Sequence, residues 1–221
     1  MSSRKKLTLA MVSLILVIAA LVVALTTVLA AKTQTVTTDT ITVTYHAKQV
    51  EATVSAKYAF YKATRSSGSF SGCGTAVSGQ SGDMKVGGSS SGATSITFTA
   101  GQAQQTTGNT LKPTSAITFN DTKDVLIFTY TFKNNDTANP INLALVTTTT
   151  GSTNVTVKYC STISTTLTDW KDSYADLANA DKVVNSSDSS ATQTIYIMAY
   201  VINLDIDATL KIAFTWTLTN V

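Results

Sequence analysis

"TLKIAFTWTLTN", Thr209–Asn220, alternates without a break: Leu210, Ile212, Phe214, Trp216 and Leu218 fall on one side, with threonines, Lys211 and Ala213 opposite. A period of two marks a strand with one face in a core and the other outside. The same pattern places Val50, Ala52, Val54, Ala56, Tyr58 and Phe60 on one face of an earlier strand. In "DVLIFTYTFKN", Asp124–Asn134, Leu126, Phe128, Tyr130 and Phe132 share a face. "TIYIMAYVIN", Thr194–Asn203, is apolar on both faces, which predicts a central strand. Shorter runs, "TSITFTA", "SAITFN", "INLALV" and "NVTVKYC", lie between these. Eight or nine short strands separated by turn signals predict an all-β fold, a β-sandwich of jelly-roll or immunoglobulin-like type. No helices alternate with the strands, so a parallel α/β fold is excluded.

Three segments depart from the alternation. Leu167, Trp170, Tyr174 and Leu177 recur at spacings of three and four, which predicts one short amphipathic helix with Trp170 on its apolar face. Residues 65–92 are dominated by Gly and Ser, with Cys73 among them, and predict a projecting insert or a loop held down by a disulfide. "NNDTANP", Asn134–Pro140, is a turn, and Thr147–Thr153 predicts another around Gly151.

Of the 221 residues only 13% are charged, against roughly 25% in ordinary soluble domains. Threonine, which suits a half-buried sheet surface, supplies roughly a fifth. The net charge of +3 includes Arg4, Lys5 and Lys6 near the N-terminus. No basic stripe with interleaved aromatics remains, which argues against nucleic acid as a partner. Leu7–Ala31 carries no charge. As a helix it would reach roughly 37 Å, enough to cross a hydrocarbon core of about 30 Å. It reads as an uncleaved signal anchor or as a signal peptide ending near Ala30. Either way the N-terminal basic residues stay inside and the rest is exported. The expected organisation is a leader over 1–31, a linker or donated strand over 32–39 and a β-domain over 40–221. Its location is the outer face of the membrane or the extracellular space, with the N-terminal helix as the membrane contact.

An exported chain with two cysteines predicts a Cys73–Cys160 disulfide. It would close a loop of nearly 90 residues, worth up to about 4.5 kcal/mol. Other chemistry is sparse. His46 and Glu51 are the sole histidine and glutamate. "GSSSG", Gly88–Gly92, matches G-x-S-x-G, a motif that works only on a strand-to-helix turn. Asp205 and Asp207 are weak calcium candidates, because calcium needs six to eight oxygens and two carboxylates fall short. Asp169, Asp172 and Asp176 read as the solvated side of the short helix. No catalytic residue and no cofactor are expected. Asn120, Asn135, Asn154 and Asn185 stand in N-x-S/T sequons, the two at turns being the better acceptors.

Three stretches together resemble the TasA and camelysin type of bacterial surface proteins. One is the basic-apolar leader running into "KTQTVTTDTITVTYHA". The second is "FTYTFKNNDTANPINLAL", a strand, an Asn-rich turn and a strand. The third is "TIYIMAYVINLDIDATLKIAFTWTLTN", a final long hairpin. The resemblance covers the leader and roughly Leu111–Val221, and implies a jelly-roll domain and, for some members, extracellular fibres built by donating an N-terminal strand. The expected function is an exported, non-enzymatic structural or fibre-forming protein. The alternative is a monomeric, membrane-anchored adhesin or carbohydrate-binding module. In the opening strand Ile41, Val43 and Tyr45 make an apolar face, whereas Thr33–Asp39 carries only Val36. Ile41–Tyr45 is therefore expected to pair within its own chain. Thr33–Asp39 is expected to be free to join a neighbouring subunit once the leader is cleaved.

Overall fold

A computed structural model of the chain describes residues 36–48, 50–66, 69–99, 110–119, 124–151, 155–186, 191–201 and 209–221. These lie in one compact unit, Thr35–Val221. The leader, Lys32–Thr35, Asn120, Asn154, Asp205 and Asp207 fall outside the described residues. Within the described residues no helix is long and apolar enough to cross a membrane.

The chain forms two β-sheets. The strands are β1 (Val36–Lys48), β2 (Ala52–Ser66), β3 (Ser69–Asp83), β4 (Lys85–Val86), β5 (Ser95–Phe98), β6 (Thr110–Lys112), β7 (Ile117–Phe119), β8 (Asp124–Asn134), β9 (Ile141–Gly151), β10 (Val155–Cys160), β11 (Val183–Val184), β12 (Thr192–Val201) and β13 (Thr209–Asn220). The first sheet has the order β11-β9-β13-β1-β6-β4, with β7 also on β1. The second has the order β10-β12-β8-β2-β3, with β5 also on β2. β1 runs parallel to β13, from Thr37 opposite Thr209 to Lys48 opposite Thr219.

Both sheets contribute to one apolar core. Ile41, Val43 and Tyr45 of β1 and Ile212, Phe214, Trp216 and Leu218 of β13 are buried there. From the second sheet come Val54 and Phe60, then Leu126, Phe128, Tyr130 and Phe132, then Ile195 and Ile197. The alternation that predicted these faces is what fills the core, because every second side chain points the same way. β8 and β12 are also buried on their outer faces through Val125, Ile127 and Met198. That explains why β12 reads as apolar on both faces, while β8 turns polar on its outer face only from Thr129 onward.

Three expectations need correction. The Gly/Ser-rich tract is no projecting insert: Ser69–Asp83 is β3, paired with β2 through several register shifts. The strand is hard to read from sequence because Gly and Ser carry no hydrophobic period. The expected short helix is instead a run of three 3-10 turns, Leu167–Asp169, Tyr174–Asp176 and Asn179–Lys182. Successive turns of about three residues place Trp170, Tyr174 and Leu177 on a buried side, imitating a helical stripe. The last two long strands are not a hairpin. β12 pairs with β10 and β8 in the second sheet, and β13 pairs with β9 and β1 in the first. In this chain, which retains its leader, Val36–Thr38 pairs with β7 on one side, and Thr37 and Thr38 with β13 on the other.

Tyr45 and Tyr130 are fully buried, and their hydroxyls, like Trp216 Nε1, have no hydrogen-bond partner. Burial pushes both phenols well above the usual tyrosine range. A raised folded-state pKa contributes stability that is present below the unfolded value of about 10 and lost as pH rises through the folded one. The protein is therefore expected to lose stability progressively above about pH 10. Denaturant midpoints measured from pH 8 to 11 check this, and a flat profile would contradict it. Tyr130→Phe is expected to leave neutral-pH stability unchanged or higher, since it removes a buried hydroxyl that makes no bond.

Candidate functional site

An open groove of about 530 Å³ runs between β9 and the 3-10 segment. Leu143, Leu145 and Thr147 of β9 form one side; Tyr159, Asp172 and Tyr174 are on the other, with Lys182 beside them. The side chains that shape it are fixed by hydrogen bonds. Tyr159 Oη donates to Thr147 Oγ1 at 2.8 Å, tying the second sheet to the first. Tyr174 Oη donates to the Leu143 carbonyl at 3.0 Å. Burial pushes the phenols of Tyr159 and Tyr174 up, so both stay neutral donors at physiological pH. Lys182 Nζ donates to the Ala175 carbonyl at 2.6 Å and stands 5.9 Å from the Tyr174 ring centre. Asp172 pairs with Lys158. The Asp172 side chain is 83% exposed, so it lies on the solvated side as expected, with an ion pair added. Asp169 likewise accepts a bond from Ser164.

The cysteines lie in a second apolar cluster, on the outer face of the second sheet, with Val125, Ile127, Trp170 and Met198. The expected Cys73–Cys160 disulfide is not formed: both are free, buried thiols. Their sulfurs face different backbone carbonyls of one segment, Cys73 Sγ toward Ser164 O at 3.1 Å and Cys160 Sγ toward Asp169 O at 3.6 Å. Trp170 Nε1 also donates to Ser164 O, at 3.0 Å. The 161–170 segment is therefore docked by the side chains beneath it. Burial pushes the Cys73 thiol up, which keeps it protonated and unreactive. Thiol titration of the unfolded, unreduced protein is expected to count two thiols, with both slow to react in the native state. A count of zero would restore the disulfide.

Ser90 of "GSSSG" lies in the turn between β4 and β5, with Gly88 at φ +74°. A strand follows it, so the context that a nucleophile elbow requires is missing. His46 lies in β1 opposite Thr217. Among the described residues no three His, Cys, Asp or Glu come close enough to hold a metal. Of the two sequons at turns, Asn135 is exposed and its side-chain amide donates to Thr53 at 3.0 Å. Asn185 is exposed beside β11.

The groove escapes the sequence reading because Tyr159 and Tyr174 are distant in the chain and carry no motif. A signal was present in "INLALV", where apolar Ala144 and Val146 occupy the outward face of β9. Val146 is 64% exposed. No protein-family model and no curated protein matches the chain.

Proposed function

We propose that this is an exported, non-enzymatic β-sandwich of jelly-roll or immunoglobulin-like type, displayed at the cell surface as a structural or fibre-forming subunit. Connections that cross between the sheets, from β1 to β2, β8 to β9, β9 to β10 and β12 to β13, support the sandwich type. The observation that carries the functional reading is the character of the groove. It is an open trough along a strand, and its charged groups, Asp172 and Lys182, are engaged by Lys158 and Ala175. A trough of this kind suits contact with an extended chain better than enclosure of a small substrate.

The position of the first strand adds to this. β1 begins at Val36, five residues after the apolar run ends at Ala31, and is flanked on both sides within its sheet. A β-domain that follows an anchor segment after so few residues of chain suits a coat or fibre base better than an enzyme on a stalk. The carbohydrate-binding alternative gains little support, since Tyr159 and Tyr174 beside the groove are buried and present no open ring for sugar stacking. Electron microscopy of cells with and without the protein tests the proposal. Surface filaments or a coat that disappear with the protein are expected; an unchanged surface would count against it.

A further inference from the structure

The edges of the two sheets are unequally protected. β3 carries several register shifts, and β4 is two residues long and includes Lys85. β10 is bridged at Tyr159 by Lys171 and carries the Lys158–Asp172 pair. These are the devices that keep sheet edges from pairing with other chains. β9 is different. β11 covers only Ile141 and Asn142, while β9 pairs with β13 without a register shift from Ile141 to Gly151. Beyond Asn142 its outer edge has no strand partner among the described residues.

The direction of the free groups follows from two bonds. Val221 N–H donates to the Pro140 carbonyl, so the even-numbered backbone groups of this run face β13. Odd-numbered ones face away, as the Leu143 carbonyl does in accepting from Tyr174. Leu145, Thr147 and Thr149 therefore present N–H and C=O groups outward, along the groove. The run "INLALVTTTTG" contains no charge and no proline. In a two-fold antiparallel pairing each residue meets its own symmetry partner or a near neighbour, so any charge there would meet its like and repel. A neutral, regular edge satisfies that condition.

We propose that Leu145–Thr149 pairs antiparallel with the same stretch of a second copy of this chain, continuing the first sheet across two molecules. Three outward residues, each exchanging a pair of bonds, give about six inter-chain hydrogen bonds. Val146 and Thr148 then meet across the two-fold on the exposed face. The inference rests on the structural-subunit reading and names one of its contacts.

Hydrogen exchange and mass measurement on the full-length chain in detergent test it. The amides of Leu145, Thr147 and Thr149 are expected to slow with rising protein concentration, by more than about tenfold. Thr149→Pro removes one outward N–H and no bond to β13, and is expected to abolish the dimer. Val146→Lys combined with Thr148→Lys, both on the exposed face, leaves the backbone intact, sets the lysine introduced at position 146 of each copy directly opposite that at position 148 of the other, and should do the same. Edge amides that exchange fast at every concentration would overturn the proposal. So would amides protected even at high dilution, which would mean that the chain covers its own edge. Filaments formed with these amides unprotected would strike this inference alone. Concentration-dependent protection without filaments would strike the fibre reading alone.

Discussion

Trp216→Ala is expected to lower the free energy of unfolding by about 3 to 5 kcal/mol. Trp216 is completely buried at the point where the two sheets and the 3-10 segment meet. Its ring centre lies 4.7 Å from that of Phe132, 5.4 Å from that of Tyr130 and 5.4 Å from that of Tyr174. Truncation removes the group that all three rings pack against. The surrounding strands are hydrogen-bonded on both sides and cannot collapse far into the space. Trp216→Phe should lose much less, because it keeps an aromatic ring and discards an indole N–H that has no partner. Denaturant midpoints of the two variants check this, and equal losses would mean that the indole is not the centre of the packing.

Gly72→Ala is the second large effect. A Cβ at Gly72 would lie 1.9 Å from the Thr165 carbonyl oxygen and 3.3 Å from the Leu167 backbone nitrogen, and Gly72 φ is +153°. The obstacle is backbone, so relief requires the 161–170 segment to lift from the sheet. That segment carries Trp170 and the carbonyls facing Cys73 and Cys160. Destabilisation of at least about 3 kcal/mol is expected, at the top of the overpacking range. Native-state labelling of Cys73 and Cys160 should also accelerate, which a uniform loss of stability elsewhere would not single out. Unchanged labelling would show that the segment is not held where it lies by Gly72.

How much of this was legible in the sequence depended on whether side chains carried the information. β8 and β13 were readable because each alternate residue is large and apolar, and β8 spans the run expected for it, Asp124–Asn134. β9 runs further than its sequence suggests: Thr147–Thr150 looks like the approach to a turn, yet these threonines pair in order with Phe214, Ala213, Ile212 and Lys211 of β13. The pairing is set by the neighbour and leaves no mark on the run itself. β3 was invisible for a related reason, since its place depends on β2 and on close backbone approach at Gly72. The 3-10 turns mimicked a helix because both repeat near three residues. Both tryptophans were placed correctly as buried, but the disulfide was not. Cysteine count and compartment say nothing about where two sulfurs point.

The central claim, an exported structural subunit that assembles through its own copies, is tested most directly by the mass distribution of the protein taken from the cell surface. The account predicts filamentous or SDS-resistant material of high mass in the wild type. A single monomeric species at every concentration found on the cell would contradict it, and would favour a membrane-anchored binding module.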